Sequence, residues 1–111
     1  MMIQIEHFEG VGNIGSILGT GGINAIFIGP YDLSASMGLM GQPDHPDVKR
    51  SINTVKSICR KAGIDYGIFG GSPESPEGEI ADGCKFLLCG IDVALISQMY
   101  GHLAKRLKDL T

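Results

Sequence analysis

Four short apolar segments constrain the fold of this chain more than any other feature. They are MIQIE, NAIFIG, YGIFG and CKFLLCG, at residues 2–6, 24–29, 66–70 and 84–90. Each is almost continuously apolar and is bounded by glycine or polar residues. That pattern is typical of strands buried on both faces of a parallel sheet. We therefore predict four buried strands.

The segments that follow these strands have helical character. Residues 46–63 place apolar side chains three and four apart, with Pro46 in the first turn and Gly63 at the end. Residues 92–110 place leucine and methionine four apart, which predicts a second amphipathic helix. The helices predicted at 9–18 and 73–83 have weaker patterns, because the first contains several glycines and the second is short.

Alternating strands and helices predict an α/β fold with parallel strands and right-handed crossovers. Two architectures are compatible with this order: an open doubly wound sheet, and four consecutive βα units of a TIM (β/α)₈ barrel. A complete barrel needs about 250 residues, whereas this chain has 111. Size alone favours the open sheet, because a half barrel leaves two edge strands unpaired. With no linker in the sequence, residues 1–111 are expected to form a single domain.

The composition excludes several classes of function. The net charge is −3, with nine lysines and arginines against twelve acids, so nucleic acid is not an expected partner. No apolar run approaches the ~20 residues that cross a bilayer, and the N-terminus does not resemble a secretory signal. Three cysteines without paired spacing argue against a disulfide framework. We therefore expect a cytoplasmic protein without a membrane partner.

Two acids, Glu6 and Asp32, come directly after the first two predicted strands. Asp32 lies in a segment that we predict to be a polar loop punctuated by glycine. Function gathers at the carboxyl ends of parallel strands, so the two carboxylates can converge there. Two converging carboxylates suit a hard divalent ion such as Mg²⁺. A single acid at a strand end is more often a solvated residue or a helix cap, and the spacing leaves both interpretations open.

Three segments resemble the second half of the HpcH/HpaI aldolase family, the class II pyruvate aldolases. They are QIEHFEG, GGINAIFIGPYDLSASMGLMGQPDHPDV and FLLCGIDVALI, and their order and approximate spacing match the family from Gln4 to about Leu107. The resemblance implies that the chain supplies strands five to eight of a TIM barrel, with their helices. It also implies a lyase that reversibly cleaves a 4-hydroxy-2-oxo (2-keto-3-deoxy) acid to pyruvate and an aldehyde, with the help of a metal.

The resemblance assigns roles to particular residues. Glu6 and Asp32 are implied to bind a divalent metal ion, namely Mg²⁺, Mn²⁺ or Co²⁺. Many members carry alanine at the position of Tyr31, so the implied contact of Tyr31 with the pyruvate moiety is through its main chain. The implied substrate-binding residues are Gln4, Gly29, Pro30, Tyr31 and Asp32.

The family's general-base histidine and enolate-stabilising arginine lie upstream of the QIE motif, so the resemblance assigns no catalytic residue to this chain. His7, His45 and His102 are expected to have surface or capping roles. The chain alone is therefore expected to be inactive.

Three explanations of this truncated pattern remain open: part of a longer enzyme, a separately encoded half that pairs with an N-terminal half barrel, or a degenerate half barrel that self-associates. The alternative function is that of a catalytically inactive half barrel, acting as an interaction or vestigial subunit. Because its edges are exposed, we expect a homo-oligomer or a complementing pair.

Overall fold

Strands and helices alternate along the described part of the chain, which comprises residues 1–70 and 76–110 of this computed structural model. In chain order the elements are β1 (Met2–Ile5), α1 (Phe8–Gly19), β2 (Ala25–Ile28), α2 (Pro30–Ser36), α3 (Pro46–Ala62), β3 (Asp65–Gly70), α4 (Glu77–Ala81), β4 (Phe86–Cys89) and α5 (Asp92–Lys108). The α/β class and the four predicted strands are confirmed. The part of the predicted 73–83 helix that covers residues 73–75 lies outside the described residues.

The strand order decides between the two architectures. All neighbouring strands are parallel, and their order in the sheet, β1-β2-β3-β4, is their order in the sequence. A doubly wound sheet reverses this order at a switch point, whereas a barrel adds each strand beside the previous one. The four βα units therefore have the topology of half a barrel.

One face of the sheet carries the hydrophobic core. Ile5, Ile26, Ile28 and Ile68 alternate along their strands and are at most 4% exposed. They form one cluster with buried side chains of α1 and α3, among them Val55. Since successive side chains of a strand point to opposite faces, the helices cover only this face.

The opposite face of the sheet is open. Gln4, Phe27, Phe69 and Leu88 alternate with the core residues, and all four are half-buried or exposed. The prediction that the strands are buried on both faces is therefore wrong for the described part of the chain. An apolar pattern shows that a face is suited to burial, but it does not show which chain covers it. In a closed barrel this face would line the interior.

The segment after β2 also differs from its prediction, because it forms helix α2 and not a loop. Pro30 occupies the first turn of α2, where its missing N–H is not needed, and Gly29 precedes it as the N-cap residue. Leu33 anchors the helix in the core. Seven residues are too few to show a helical period, so the pattern missed α2. Asp32 therefore lies in the first turn of a helix.

Two of the three histidines cap helices, as expected. His7 precedes α1 and His45 precedes α3, and each Nδ1 accepts a hydrogen bond from the backbone N–H two residues further along, at 3.3 and 3.2 Å. His102 is exposed in α5. A capping or surface role therefore accounts for each of the three histidines.

Helix α5 has an apolar stripe that the described part of the chain does not cover. Leu95, Met99, Leu103 and Leu107 are each 45% to 65% exposed. The helix itself was predicted correctly from its period. Among the described residues, no helix is both long enough and apolar enough to cross a bilayer.

A buried lysine joins α3 to α4. Lys56 is 5% exposed, and its Nζ donates a hydrogen bond to Glu79 Oε2 at 2.6 Å and lies 3.1 Å from Asp82 Oδ2. Burial alone would lower the pKa of Lys56, but hydrogen bonds and charges of the two carboxylates outweigh it and raise the pKa. Burial likewise tends to raise the pKa of Asp82, yet the hydrogen bond and charge of Lys56, aided by Arg60, hold it below its usual value.

Replacing Lys56 by methionine is expected to lower the free energy of unfolding at pH 7 by about 1–2 kcal/mol, less than for a fully buried pair because both carboxylates are partly solvated. Asp82 contributes stability above its unfolded pKa of about 3.9, and loses it as the pH falls through the lower folded value. The variant should therefore be less sensitive to acid between about pH 5 and pH 2. Urea unfolding across this range measures both effects, with Lys61→Met on the exposed end of α3 as the control. Equal stability of the two variants at pH 7 would contradict the prediction.

Candidate functional site

The predicted site residues lie at the carboxyl ends of β1 and β2. Gln4 belongs to β1, and Glu6 follows its last residue. The backbone N–H of Gly29 donates a hydrogen bond to the carbonyl oxygen of Ile5 at 3.1 Å, which holds the end of β2 beside the end of β1. The parallel pairing thus brings Glu6 and the start of α2 to the same edge of the sheet.

Gln4 and Glu6 form a hydrogen-bonded pair on the open face. The amide Nε2 of Gln4 donates to Glu6 Oε2 at 2.6 Å, and both side chains are exposed. Both side chains point to the open face, because residues two apart in an extended chain lie on the same face. The bond to Gln4 fixes the orientation of the Glu6 carboxylate through one of its oxygens.

Gly29 packs directly against this pair. A Cβ atom on Gly29 would lie 3.2 Å from the Gln4 amide nitrogen, 3.3 Å from Glu6 Cβ and 3.6 Å from Glu6 Oε2. Gly29 has a φ of −104°, which other residues adopt readily, so space and not backbone conformation requires a glycine here. The absence of a side chain at Gly29 lets its backbone approach the Gln4–Glu6 pair closely.

Asp32 and Tyr31 approach the same region from α2. Together with Gln4 and Gly29 they line a cavity of about 200 Å³ at the mouth formed by the strand ends. Pro30, also in the lining, is buried and begins the helix. Asp32 and Gln4 thus border the same cavity, and the amide of Gln4 holds Glu6.

Two carboxylates are the metal-binding groups that this region offers. Within residues 1–70 and 76–110, no three histidine, cysteine or acidic side chains come together in a cluster suited to a metal. A site built on Glu6 and Asp32 would therefore rely on water and substrate oxygens for its other ligands. Mg²⁺ is commonly bound in this way, by one or two carboxylates. The carboxylate oxygens of Glu6 and Asp32 suit such an ion.

The cavity also has an apolar side that sequence analysis missed. Its lining includes Phe27, Phe69 and Leu88 in addition to Tyr31. The rings of Tyr31 and Phe69 meet edge to face, with centroids 5.8 Å apart. Alternation along β2, β3 and β4 shows that these three residues share the open face, but only the folded sheet shows that they border the cavity.

A second cavity lies beyond Tyr31, with a volume of about 340 Å³. It shares Pro30, Tyr31 and Phe69 with the first cavity, and it extends along α3 past Asn53 and Lys56. The Tyr31 and Phe69 rings therefore lie between the strand-end cavity and a larger one beside α3.

Comparisons with known proteins agree on one relationship. A family model described as HpcH/HpaI aldolase/citrate lyase matches residues 1–98. The hydroxypyruvate/pyruvate aldolase of Pseudomonas aeruginosa is 35% identical over 108 residues, which cover 97% of this chain and 40% of that protein. The 4-hydroxy-2-oxo-heptane-1,7-dioate aldolase of Salmonella paratyphi B is 37% identical over 106 residues, which cover 96% of this chain and 40% of that protein.

A solved structure shows the same relationship in three dimensions. The HpcH/HpaI aldolase from Desulfitobacterium hafniense DCB-2 superposes with a TM-score of 0.88 and 32% identity, covering 99% of this chain and 43% of that one. The chain therefore spans about 40% of the length of the curated relatives that it matches.

Proposed function

This chain belongs to the HpcH/HpaI aldolase/citrate lyase family, and we propose that it carries the metal and pyruvate half-site of a carbon–carbon lyase. The reaction is the reversible cleavage of a 4-hydroxy-2-oxo acid to pyruvate and an aldehyde. Two relatives named as aldolases support the reaction class. The observation that carries the proposal is the packing of Gly29 against Gln4 and Glu6, which leaves an oriented carboxylate beside the strand-end cavity.

Glu6 and Asp32 are the protein ligands in this proposal, and the ion is Mg²⁺, Mn²⁺ or Co²⁺. Two carboxylates leave several coordination positions for substrate oxygens and water. When bound, the ion supplies a Lewis acid that stabilises the negative charge developing on the 2-oxo group as the carbon–carbon bond breaks.

The other residues of the half-site position these groups. Gln4 holds the Glu6 carboxylate through a hydrogen bond of 2.6 Å. Gly29 lets the start of α2 approach that carboxylate closely and lines the cavity proposed to hold the pyruvate moiety, which the main chain of Tyr31 also borders. Pro30 fixes the backbone in the first turn of α2, the same turn that contains Asp32. Each of these residues positions a carboxylate or shapes the cavity, and none is assigned a proton transfer.

Lys56 and Lys85 do not favour a Schiff-base mechanism. Lys56 is paired with Glu79 and Asp82, and its raised pKa keeps it protonated and a poor nucleophile. Lys85 precedes β4, at the opposite end of the sheet from Asp32. A metal-assisted reaction is therefore the better fit to the described residues.

Cleavage is proposed to need the rest of a barrel, supplied by a longer chain, by an N-terminal half barrel or by another copy. In the described residues β1 and β4 each have one unpaired edge, and the inner face of the sheet is open. A chain that spans about 40% of its relatives is compatible with such pairing.

Binding of Mn²⁺ tests the half-site. We define the chimeric barrel as the Pseudomonas aeruginosa aldolase in which this chain replaces the segment that it matches. Titration of the chimeric barrel with Mn²⁺, followed by the electron paramagnetic resonance of the free ion, should show binding that oxalate, a planar mimic of the pyruvate enolate, strengthens. A chimeric barrel that is folded by circular dichroism but does not bind Mn²⁺ would refute the proposed site.

A further inference from the structure

The strand-end cavity has one polar side and one apolar side. Gln4 and Asp32 form the polar side, next to Glu6. The apolar side consists of Phe27, Tyr31, Phe69 and Leu88. A ligand that fills this cavity therefore needs a polar end that meets the carboxylates and an uncharged portion that meets the aromatic side chains.

Tyr31 occupies the boundary between the two sides. It is the neighbour of Asp32 in the chain, and its side chain is half exposed. Phe69 supports the ring through an edge-to-face contact at 5.8 Å, so that part of the ring surface remains available to a ligand. Because Tyr31 also borders the cavity beside α3, its ring limits how far a ligand extends in that direction.

The charge of a ligand also affects how well it fits the apolar side of the strand-end cavity. Among the described residues that line the strand-end cavity, none is lysine, arginine or histidine. A carboxylate placed inside the strand-end cavity against the aromatic side would lose water without gaining a counter-charge from its lining, because Lys49 and Lys56 line the other cavity, beside α3. An aromatic or aliphatic group there would bury apolar surface instead.

We propose that Tyr31, supported by Phe69, contacts the aldehyde-derived substituent of the substrate and favours uncharged apolar substituents over those bearing a carboxylate. This inference rests on the proposed function. In that reaction the C3–C4 bond breaks, the C4 hydroxyl loses its proton and C4 becomes the aldehyde carbonyl. The electron pair of the broken bond stays on the pyruvate fragment, whose C3 is then protonated. The substituent on C4 is the portion that meets Tyr31.

The test compares two substrates in the chimeric barrel. One is 4-hydroxy-2-oxo-4-phenylbutanoate, which releases benzaldehyde, and the other is 4-hydroxy-2-oxo-heptane-1,7-dioate, whose aldehyde product bears a carboxylate. Tyr31→Ala should lower kcat/KM for the phenyl substrate by about fivefold to tenfold, the value of one aromatic contact. The loss for the dioate should be several times smaller, because its charged substituent gains little from an aromatic contact. Tyr31→Phe, which keeps the ring, should retain the preference of the unsubstituted enzyme.

The outcomes separate this inference from the proposed function. If the unsubstituted chimeric barrel releases no pyruvate from either substrate with metal present, the proposed function fails and the inference fails with it. If pyruvate is released but the ratio of the two kcat/KM values is the same in Tyr31→Ala, only the inference is overturned. A rise in activity on the phenyl substrate would also overturn it, because Tyr31 would then obstruct the substituent instead of binding it.

Discussion

Replacing Asp32 by asparagine is expected to lower metal-dependent pyruvate release by the chimeric barrel by about a thousandfold, and Glu6→Gln should do the same. Both substitutions keep the size of the side chain but remove the negative charge that is proposed to hold the divalent ion. The measurement is the initial rate of pyruvate formation at saturating substrate and at increasing Mg²⁺.

Glu9→Gln is the matched control for this experiment. Glu9 is an exposed acid in the first turn of α1, three residues from Glu6, and it does not border the strand-end cavity. Its replacement removes the same charge from a residue close in the sequence and should leave the rate within about twofold, as for an ordinary surface substitution. A D32N variant as active as the control would show that Asp32 does not bind the ion.

The second large effect is expected at Gly67. Phe27 and Phe86 stack with ring centroids 6.2 Å apart, and Gly67 lies between them in the register of the sheet. A Cβ atom at Gly67 would overlap both the ring and the backbone carbonyl of Phe86. The ring can rotate away, but the carbonyl cannot move without shifting β4. Gly67→Ala should therefore lower the free energy of unfolding by about 3 kcal/mol through overpacking.

Gly12→Ala is the control for this substitution. Gly12 lies in α1, and a Cβ there would meet no atom within 4 Å. Alanine should raise stability by up to about 1 kcal/mol, because glycine is a poor helix former. Urea unfolding followed by circular dichroism compares the two variants. If Gly67→Ala is as stable as the unsubstituted chain, the close packing of β3 against β4 is not as described.

The elements of the fold were largely predictable because each has a strong local signal. The apolar runs locate β1 to β4, and the period of residues 46–63, with Pro46 and Gly63 at its ends, locates α3 almost to the residue. Helix α2 was not predictable, because a seven-residue helix has too few apolar positions to show a period. Its existence depends on Leu33 packing into a core that only the folded chain provides.

The positions of the proposed site residues in the fold were predictable, but their contacts were not. Parallel strands bring their carboxyl ends to one edge, so Glu6 and Asp32 were expected there from topology. The hydrogen bond between Gln4 and Glu6 joins residues on the same strand face, which the sequence allows but does not require. The approach of Gly29 and the aromatic contact of Tyr31 depend on distances between elements, and no local pattern encodes them.

The open inner face explains why the chain alone is not expected to be an efficient enzyme. Its apolar and aromatic side chains lack a cover in the described residues, and the strand-end cavity is walled only from β1 to β4 and α2. A site that excludes water strengthens electrostatic interactions with the developing charge. The alternative, an inactive half barrel that serves as an interaction or vestigial subunit, shares this geometry but does not require a metal.

Pyruvate release by the chimeric barrel should be measured with and without a chelator. We expect 4-hydroxy-2-oxo-heptane-1,7-dioate to be cleaved when Mg²⁺ or Mn²⁺ is present, chelation to stop the reaction, and added metal to restore it. Cleavage that continues unchanged after the metal has been removed would refute the proposed metal-dependent half-site, as would a folded chimeric barrel that releases no pyruvate with either ion.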